Sequence, residues 1–294
     1  MTFDATMPAP DLDLPDGPGP HPAIVPLHGA SDGSKDNFLL RRLALTLPPR
    51  GIAVARFDRR GDDVPLDLQV EDAMRVVDEL ASRPDIDAER VGLWGFSQGA
   101  WVAPVAASRS TKIRFLVLLA STGVTPAEQM LYGTAKHARM AGYGEDVADR
   151  IVRVRQTVDE FRRGRVPIAT AQAAVDAVKD EAWFPLAYLP PKMSDIGVWP
   201  DMDFDPAPIF ANVRVPTLLF YGEDDEWSPI DASVAAWERA AERANNKNVL
   251  VQRLAGTGHF PTTGGAEAIE AISAEYERTL VDWLSRITRT DRTS

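Results

Sequence analysis

The chain has 294 residues, 45% hydrophobic and 26% charged, which supports one large apolar core or two smaller ones and excludes a disordered polymer. A net charge of −11 argues against nucleic acid as the main partner, because phosphate backbones are held by surfaces rich in Lys and Arg. With 0 cysteines there is no disulfide, no thiol nucleophile and no thiolate metal site.

In chain order, residues 1–22 are dominated by Pro, Gly and Asp and read as irregular chain with room for one short strand. Their first eight residues carry neither a basic n-region nor an apolar h-region, so no export signal is expected, and the location expected is cytoplasmic. Residues 23–27 form a short apolar run ahead of His28-Gly29, hence a buried strand followed by a loop. Phe38, Leu39, Leu40, Leu43 and Leu47 have helical spacing over 37–47, and Pro48-Pro49 stops that helix. A strand follows at 52–57. Leu66, Val70, Ala73, Val77 and Leu80 then repeat at alternating steps of four and three, as an amphipathic helix requires. A strand at 90–94, a small-residue helix at 98–108 and a strand at 115–119 continue the alternation. The apolar run at 115–120 is the longest in the chain and far too short to cross a bilayer, so no membrane partner is expected.

After Ser121 the alternation breaks, and only helical patterns appear up to about Asn212. Thr125-Pro126-Ala127-Glu128 is a capping box with proline at the first helical position. Val147, Ile151, Val154, Val158 and Phe161 make one apolar stripe, and 169–183 reads as a further helix. A stretch rich in Pro and aromatics follows, with Trp183, Phe184, Tyr188, Trp199, Phe204 and Phe210. Strands at 216–221 and 248–254 and helices at 230–244 and 266–287 close the chain. The expected fold is therefore α/β: a mostly parallel, doubly wound sheet formed by 1–121 and 213–294, with a helical lid at 122–212. Trp183, Phe184, Tyr188 and Trp199 are the candidate substrate-binding residues of that lid.

Gly95-Phe96-Ser97-Gln98-Gly99 lies between a predicted strand and a predicted helix. A turn that tight strains the backbone at its centre, needs glycines beside it, and lifts the serine hydroxyl above the carboxyl end of the sheet. Serine is a poor nucleophile while protonated, so it needs a base, and the base needs an acid to fix its tautomer. His259, in Gly256-Thr257-Gly258-His259-Phe260, follows the last predicted strand. The other three histidines are His21 in the leader, His28 directly after the first central strand, and His137 on a lid helix. The acid is sought in Glu223-Asp224-Asp225-Glu226, which follows the strand at 216–221; Asp225 is favoured and Asp224 stays open. Both positions lie beyond strand carboxyl ends, where parallel α/β sheets carry their ligand-facing loops. Behind the first central strand, the Ala30 N–H after His28-Gly29 is paired with the Gln98 N–H as a candidate oxyanion hole.

Together, His28-Gly29-Ala30, the segment Arg56-Phe57-Asp58-Arg59-Arg60-Gly61, the serine elbow, the acid after Phe220-Tyr221-Gly222 and Gly258-His259 resemble the α/β-hydrolase superfamily, near its dienelactone-hydrolase-like and serine-aminopeptidase-like esterases. The resemblance runs from about Ala23 to Leu284. It implies a catalytic triad of Ser97, Asp225 and His259, oxyanion donors at Ala30 and Gln98, and a structural role for Asp58 and Arg60. It also implies an opening antiparallel hairpin, for which the leader before Ala23 is short. The expected activity is hydrolysis of a carboxylic ester of a small-molecule substrate through an acyl-enzyme. The alternatives are lactone, amide or carbon–carbon cleavage, acyl transfer by the same residues, or a non-catalytic ligand-binding relative. No cofactor is expected, because neither G-x-G-x-x-G after a strand nor G-x-x-x-x-G-K-[ST] occurs. No metal is expected from four scattered histidines without H-E-x-x-H.

Overall fold

A computed structural model describes residues 9–61 and 64–289, so the reading of residues 1–8 as free of an export signal falls outside the described residues. The chain runs through β1 (Asp11–Asp13), β2 (His21–Leu27), α1 (Phe38–Thr46), β3 (Ala53–Arg56), α2 (Leu66–Ala81), β4 (Ile86–Phe96), α3 (Gly99–Arg109) and β5 (Leu116–Leu119). Three helices follow without a strand: α4 (Pro126–Met140), α5 (Glu145–Arg162) and α6 (Ile168–Asp176). The alternation then resumes with α7 (Ala207–Phe210), β6 (Thr217–Gly222), α8 (Ile230–Ala244), β7 (Val249–Leu254) and α9 (Ala274–Ile287).

Two units emerge from this order. The first comprises the described residues of Met1–Gly123, Pro206–Asp225 and Ile230–Ser294. Its seven strands form one sheet in the order β1-β3-β2-β4-β5-β6-β7, parallel throughout except for β1, which pairs antiparallel with β3. Of the antiparallel hairpin implied by the resemblance, one short strand is therefore present among the described residues. Strand order reverses between β2 and β4: from β2 the chain steps outward to β3, then returns to the other side. A reversal of this kind opens a crevice at the strand carboxyl ends, and the ends of β2 and β4 are paired there through Leu27 and Gly95.

Residues alternate along each strand, so each face of the sheet buries its own apolar set. On one face Ile24, Val54, Trp94, Val117, Leu218 and Phe220 pack with Leu40, Leu43 and Leu47 of the α1 region and with Tyr276, Leu280, Trp283 and Leu284 of α9. The Tyr276 hydroxyl meets a polar partner inside that core, accepting from Trp94 Nε1 at 2.9 Å. Helices α2 and α3 cover the other face over β2 and β4. Strand β4 is longer than the predicted 90–94. Its first half carries Asp87, Glu89 and Arg90, whose polarity hides the strand, and it pairs with β2 at His21 and Ile86.

The second unit holds Val124–Asp205 and Glu226–Pro229. The Thr125 capping box forms as expected, with the Glu128 N–H donating to Thr125 Oγ1 and the Thr125 N–H to the Glu128 carboxylate. Ile151, Val154 and Val158 of α5 pack with Ala135, Ala138, Val175, Trp183, Phe184 and Met193 into a separate core. The expected helix over 169–183 stops at Asp176. Gln172 there receives the Met193 N–H and donates to the Pro191 carbonyl, and residues 177–180 turn, so that Trp183 and Phe184 enter the same core as Val175. In the first unit, the expected helix over 266–287 begins only at Ala274, capped by Ser273; the preceding residues 269–271 make a single 3-10 turn.

Candidate active site

The strand-to-helix turn between β4 and α3 places Ser97 at φ 51°, a left-handed conformation that a non-glycine residue adopts only when its surroundings impose it. The flanking glycines are what make the turn possible. A side-chain carbon on Gly95 would lie 2.3 Å from the Gly99 carbonyl oxygen, and one on Gly99 would lie 2.5 Å from that of Leu27. The elbow is thus pressed against both itself and the end of β2, and Ser97 is half-buried there.

His259 reaches the serine from the loop after β7. Its Nε2 lies 3.0 Å from Ser97 Oγ, and its Nδ1 lies 3.0 and 3.1 Å from the two carboxylate oxygens of Asp225. Asp225 has 0% of its surface exposed and His259 has 9%. Asp224, by contrast, is exposed, and its N–H donates to the Thr257 carbonyl, which ties the β6 loop to the β7 loop. Of the two adjacent carboxylates, it is Asp225 that meets the imidazole. The Phe96 ring sits 5.1 Å from the His259 ring and 5.0 Å from that of Phe260, so apolar surface backs the imidazole. This arrangement can take a proton from the serine hydroxyl onto imidazole and hold the resulting cation against a buried carboxylate.

A model of the alpha/beta hydrolase family matches residues 24–272. The chain belongs to that family. Among similar proteins, esterase EstD of Thermotoga maritima is 26% identical over 253 residues, 82% of this chain. The chain spans 55% of that esterase's length. Two solved hydrolase structures share the fold. One, of a 2,6-dihydroxy-pseudo-oxynicotine hydrolase, superposes with a TM-score of 0.57 at 16% identity over 94% of this chain and 63% of that one. The other, of an esterase of Pyrococcus furiosus, gives a TM-score of 0.57 at 18% identity over 91% of this chain and 82% of that one.

In this chain the loop after β2 lies against the elbow. A side-chain carbon on Gly29 would come within 2.9 Å of the Phe96 ring and 3.6 Å of Ser97 Cβ. Neither the Ala30 N–H nor the Gln98 N–H donates to an acceptor among the described residues. Gln98 is the N-cap of α3, so the N-terminal end of that helix adds positive potential here. His28 is buried with its ring edge-on to Phe57, and burial, followed by the nearby Arg59 charge, pushes its pKa down to about 4. His28 is therefore a neutral imidazole that shapes the loop.

Asp58 and Arg60 each have a partner in the fold. Asp58 accepts the Lys35 N–H at 2.8 Å, and Arg60 forks onto the Asp72 carboxylate. Nothing in the spacing of residues 56–61 separates Arg59 from Arg60, yet Arg59 is the one that turns toward the loop of Gly29 and Ala30.

The four candidate substrate-binding aromatics all lie in the helical unit and divide in two. Trp183 and Phe184 are 3% and 7% exposed within its core, with the Arg150 guanidinium over the Trp183 ring. Tyr188 is 50% exposed, at φ 50°, with its ring against Trp227 and near His137. Trp199 is half-buried beneath the Arg162 guanidinium. Among the described residues no group of three or more His, Asp or Glu side chains is placed to hold a metal ion, and no helix is long and apolar enough to cross a membrane.

Proposed function

We propose that the chain is a serine hydrolase that cleaves a carboxylic ester of a small molecule. The observation that carries the reading is the continuous hydrogen-bonded path from Asp225 through His259 to a serine held at positive φ. Ser97 Oγ attacks the acyl carbon while His259 Nε2 takes its proton. Asp225 holds Nδ1–H and stabilises the imidazolium. The Ala30 and Gln98 N–H groups receive the oxyanion of the tetrahedral intermediate, an electrostatic role in which one donor is worth on the order of 10²–10³ in rate. His259 then protonates the departing alcohol. Water, deprotonated by the same nitrogen, releases the acyl group and restores Ser97. The similarity to an esterase and the family membership support this reading. The exposed and half-buried aromatics of the helical unit, Tyr188 and Trp199, are proposed to set which substrates are accepted.

The test is turnover of a p-nitrophenyl ester series, a lactone and a peptide arylamide by the wild type and by Ser97→Ala. Loss of all ester hydrolysis in a variant with wild-type melting is the expected result. Activity of the variant above a few per cent of wild type removes Ser97 as nucleophile, and turnover of the lactone or arylamide in preference to every ester replaces the substrate class.

A further inference from the structure

We infer that Arg59 is a positioning residue for the oxyanion site: it sets the direction of the Ala30 N–H by gripping the carbonyl of the same peptide unit. The inference rests on the reading of Ser97 as nucleophile and Ala30 as oxyanion donor. Arg59 follows β3 and is buried. Its Nη1 donates to the Gly29 carbonyl at 2.6 Å, its Nη2 to the Ala30 carbonyl at 3.0 Å, and its Nε to the Gly61 carbonyl at 2.6 Å. Its own N–H donates to the Gly33 carbonyl at 2.8 Å, so the loop is also tied to the Arg59 backbone.

The Gly29 carbonyl and the Ala30 N–H belong to one peptide plane, and in a trans peptide they point in opposite directions. With the carbonyl oxygen held on the guanidinium, the N–H is turned away from Arg59. Rotation of this peptide about its neighbouring φ and ψ would aim the N–H elsewhere, and glycine at position 29 offers little resistance to such rotation. The planar fork holds two successive carbonyls at once, so the peptide planes on both sides of Ala30 are fixed together. A hydrogen bond from a cation is also stronger than a neutral one, and withdrawing electron density at the carbonyl makes the N–H of the same amide a better donor. Preorganisation of this kind lowers the reorganisation required when the oxyanion forms. Arg59 touches no reacting atom in this scheme and acts through the Ala30 amide.

Ester hydrolysis by Arg59→Gln and Arg59→Lys, measured beside the wild type and Ser97→Ala, tests the inference. Rates are expressed per active site after titration with a fluorophosphonate. A trifluoromethyl ketone, whose serine adduct carries an oxyanion, serves as the transition-state probe. In Arg59→Gln, kcat should fall on the order of 10²-fold with KM near wild type, and the inhibition constant of the ketone should rise by the same factor as kcat/KM falls. Arg59→Lys, which keeps the charge and loses the fork, should fall in between. A merely structural role would lower the melting temperature and the titrated fraction while leaving kcat per active site and ketone affinity unchanged, and that pattern overturns the inference. If Arg59→Gln does not fold, the Lys variant decides: wild-type kcat and ketone affinity there overturn it equally. Ester activity that survives in Ser97→Ala removes the underlying reading and the inference with it. A dead Ser97→Ala beside a fully active Arg59→Gln removes the inference alone.

Discussion

Asp224 and Asp225 are chemically identical neighbours with opposite surroundings, one in solvent and the other fully enclosed with both oxygens on His259. Asp225→Asn should therefore lower kcat by about 10⁴-fold, because the amide stabilises the wrong imidazole tautomer. Asp224→Asn should leave kcat near wild type; kinetics of the two single variants compare them directly, and the reverse ranking contradicts the assignment. His28 has a consequence of a different kind. Its folded pKa, about 4, lies below the ordinary 6.5. Between those values the unfolded chain binds a proton that the folded chain refuses, so stability falls as pH drops through this window and is fully present above it. The contribution lost by pH 4 is about 3 kcal/mol. Urea unfolding of wild type and His28→Gln at pH 7 and pH 4.5 should give a smaller decline for the variant; equal declines exclude His28 as the titrating group.

At the scale of elements, the elbow sets a local preference against a packing constraint. Gly99 is the first residue of α3, and alanine is ordinarily favoured over glycine in a helix by about 1 kcal/mol. At this position the added carbon would meet the Leu27 and His28 carbonyl oxygens at 2.5 and 2.8 Å. Gly99→Ala should thus destabilise by about 1–3 kcal/mol instead of stabilising, and should lower kcat because α3 and the end of β2 must separate. A higher melting temperature with unchanged kcat contradicts this. Elements with local signals were legible in the sequence: the Thr125 capping box, the Pro48-Pro49 stop and the four-three stripe of α2 each depend on residues within a few positions. The start of α9 was not. Its apolar face begins at Tyr276, and the residues before it include Gly264 and Gly265, both at φ 71°, a conformation no helix contains. Nor was the end of α6, which is decided by the Gln172 side chain meeting a segment some twenty residues away.

For the whole molecule, the consequential feature is that the α/β unit and the helical unit each have their own core. Trp183 and Phe184 belong to the helical core, and truncating either to Ala should lower stability by about 3–5 kcal/mol with little change in the ranking of substrates. Tyr188 and Trp199 reach the surface of that unit, and their Ala variants should alter relative kcat/KM between short and long esters more than they alter melting temperature. Thermal melts run beside a chain-length series separate the two pairs. Unchanged ranking in all four variants would mean that the helical unit does not select acyl length.

By itself the sequence determined the α/β class, the strands at 23–27, 52–57, 115–119, 216–221 and 248–254, and the loops in which Ser97, Asp225 and His259 lie. Strand and helix periods repeat over neighbouring residues, and glycine, proline and capping residues mark their ends locally. What only tertiary structure decided were relations between distant residues: that His259 meets Ser97 across 162 positions, that Asp225 and not Asp224 lies beneath His259 across 34, and that Arg59 and not Arg60 grips the Gly29 carbonyl across 30. Those choices depend on which side chain is shut away from water when the sheet closes. Burial and hydrogen-bond partnership belong to the assembled chain, and no spacing along it encodes them one residue at a time.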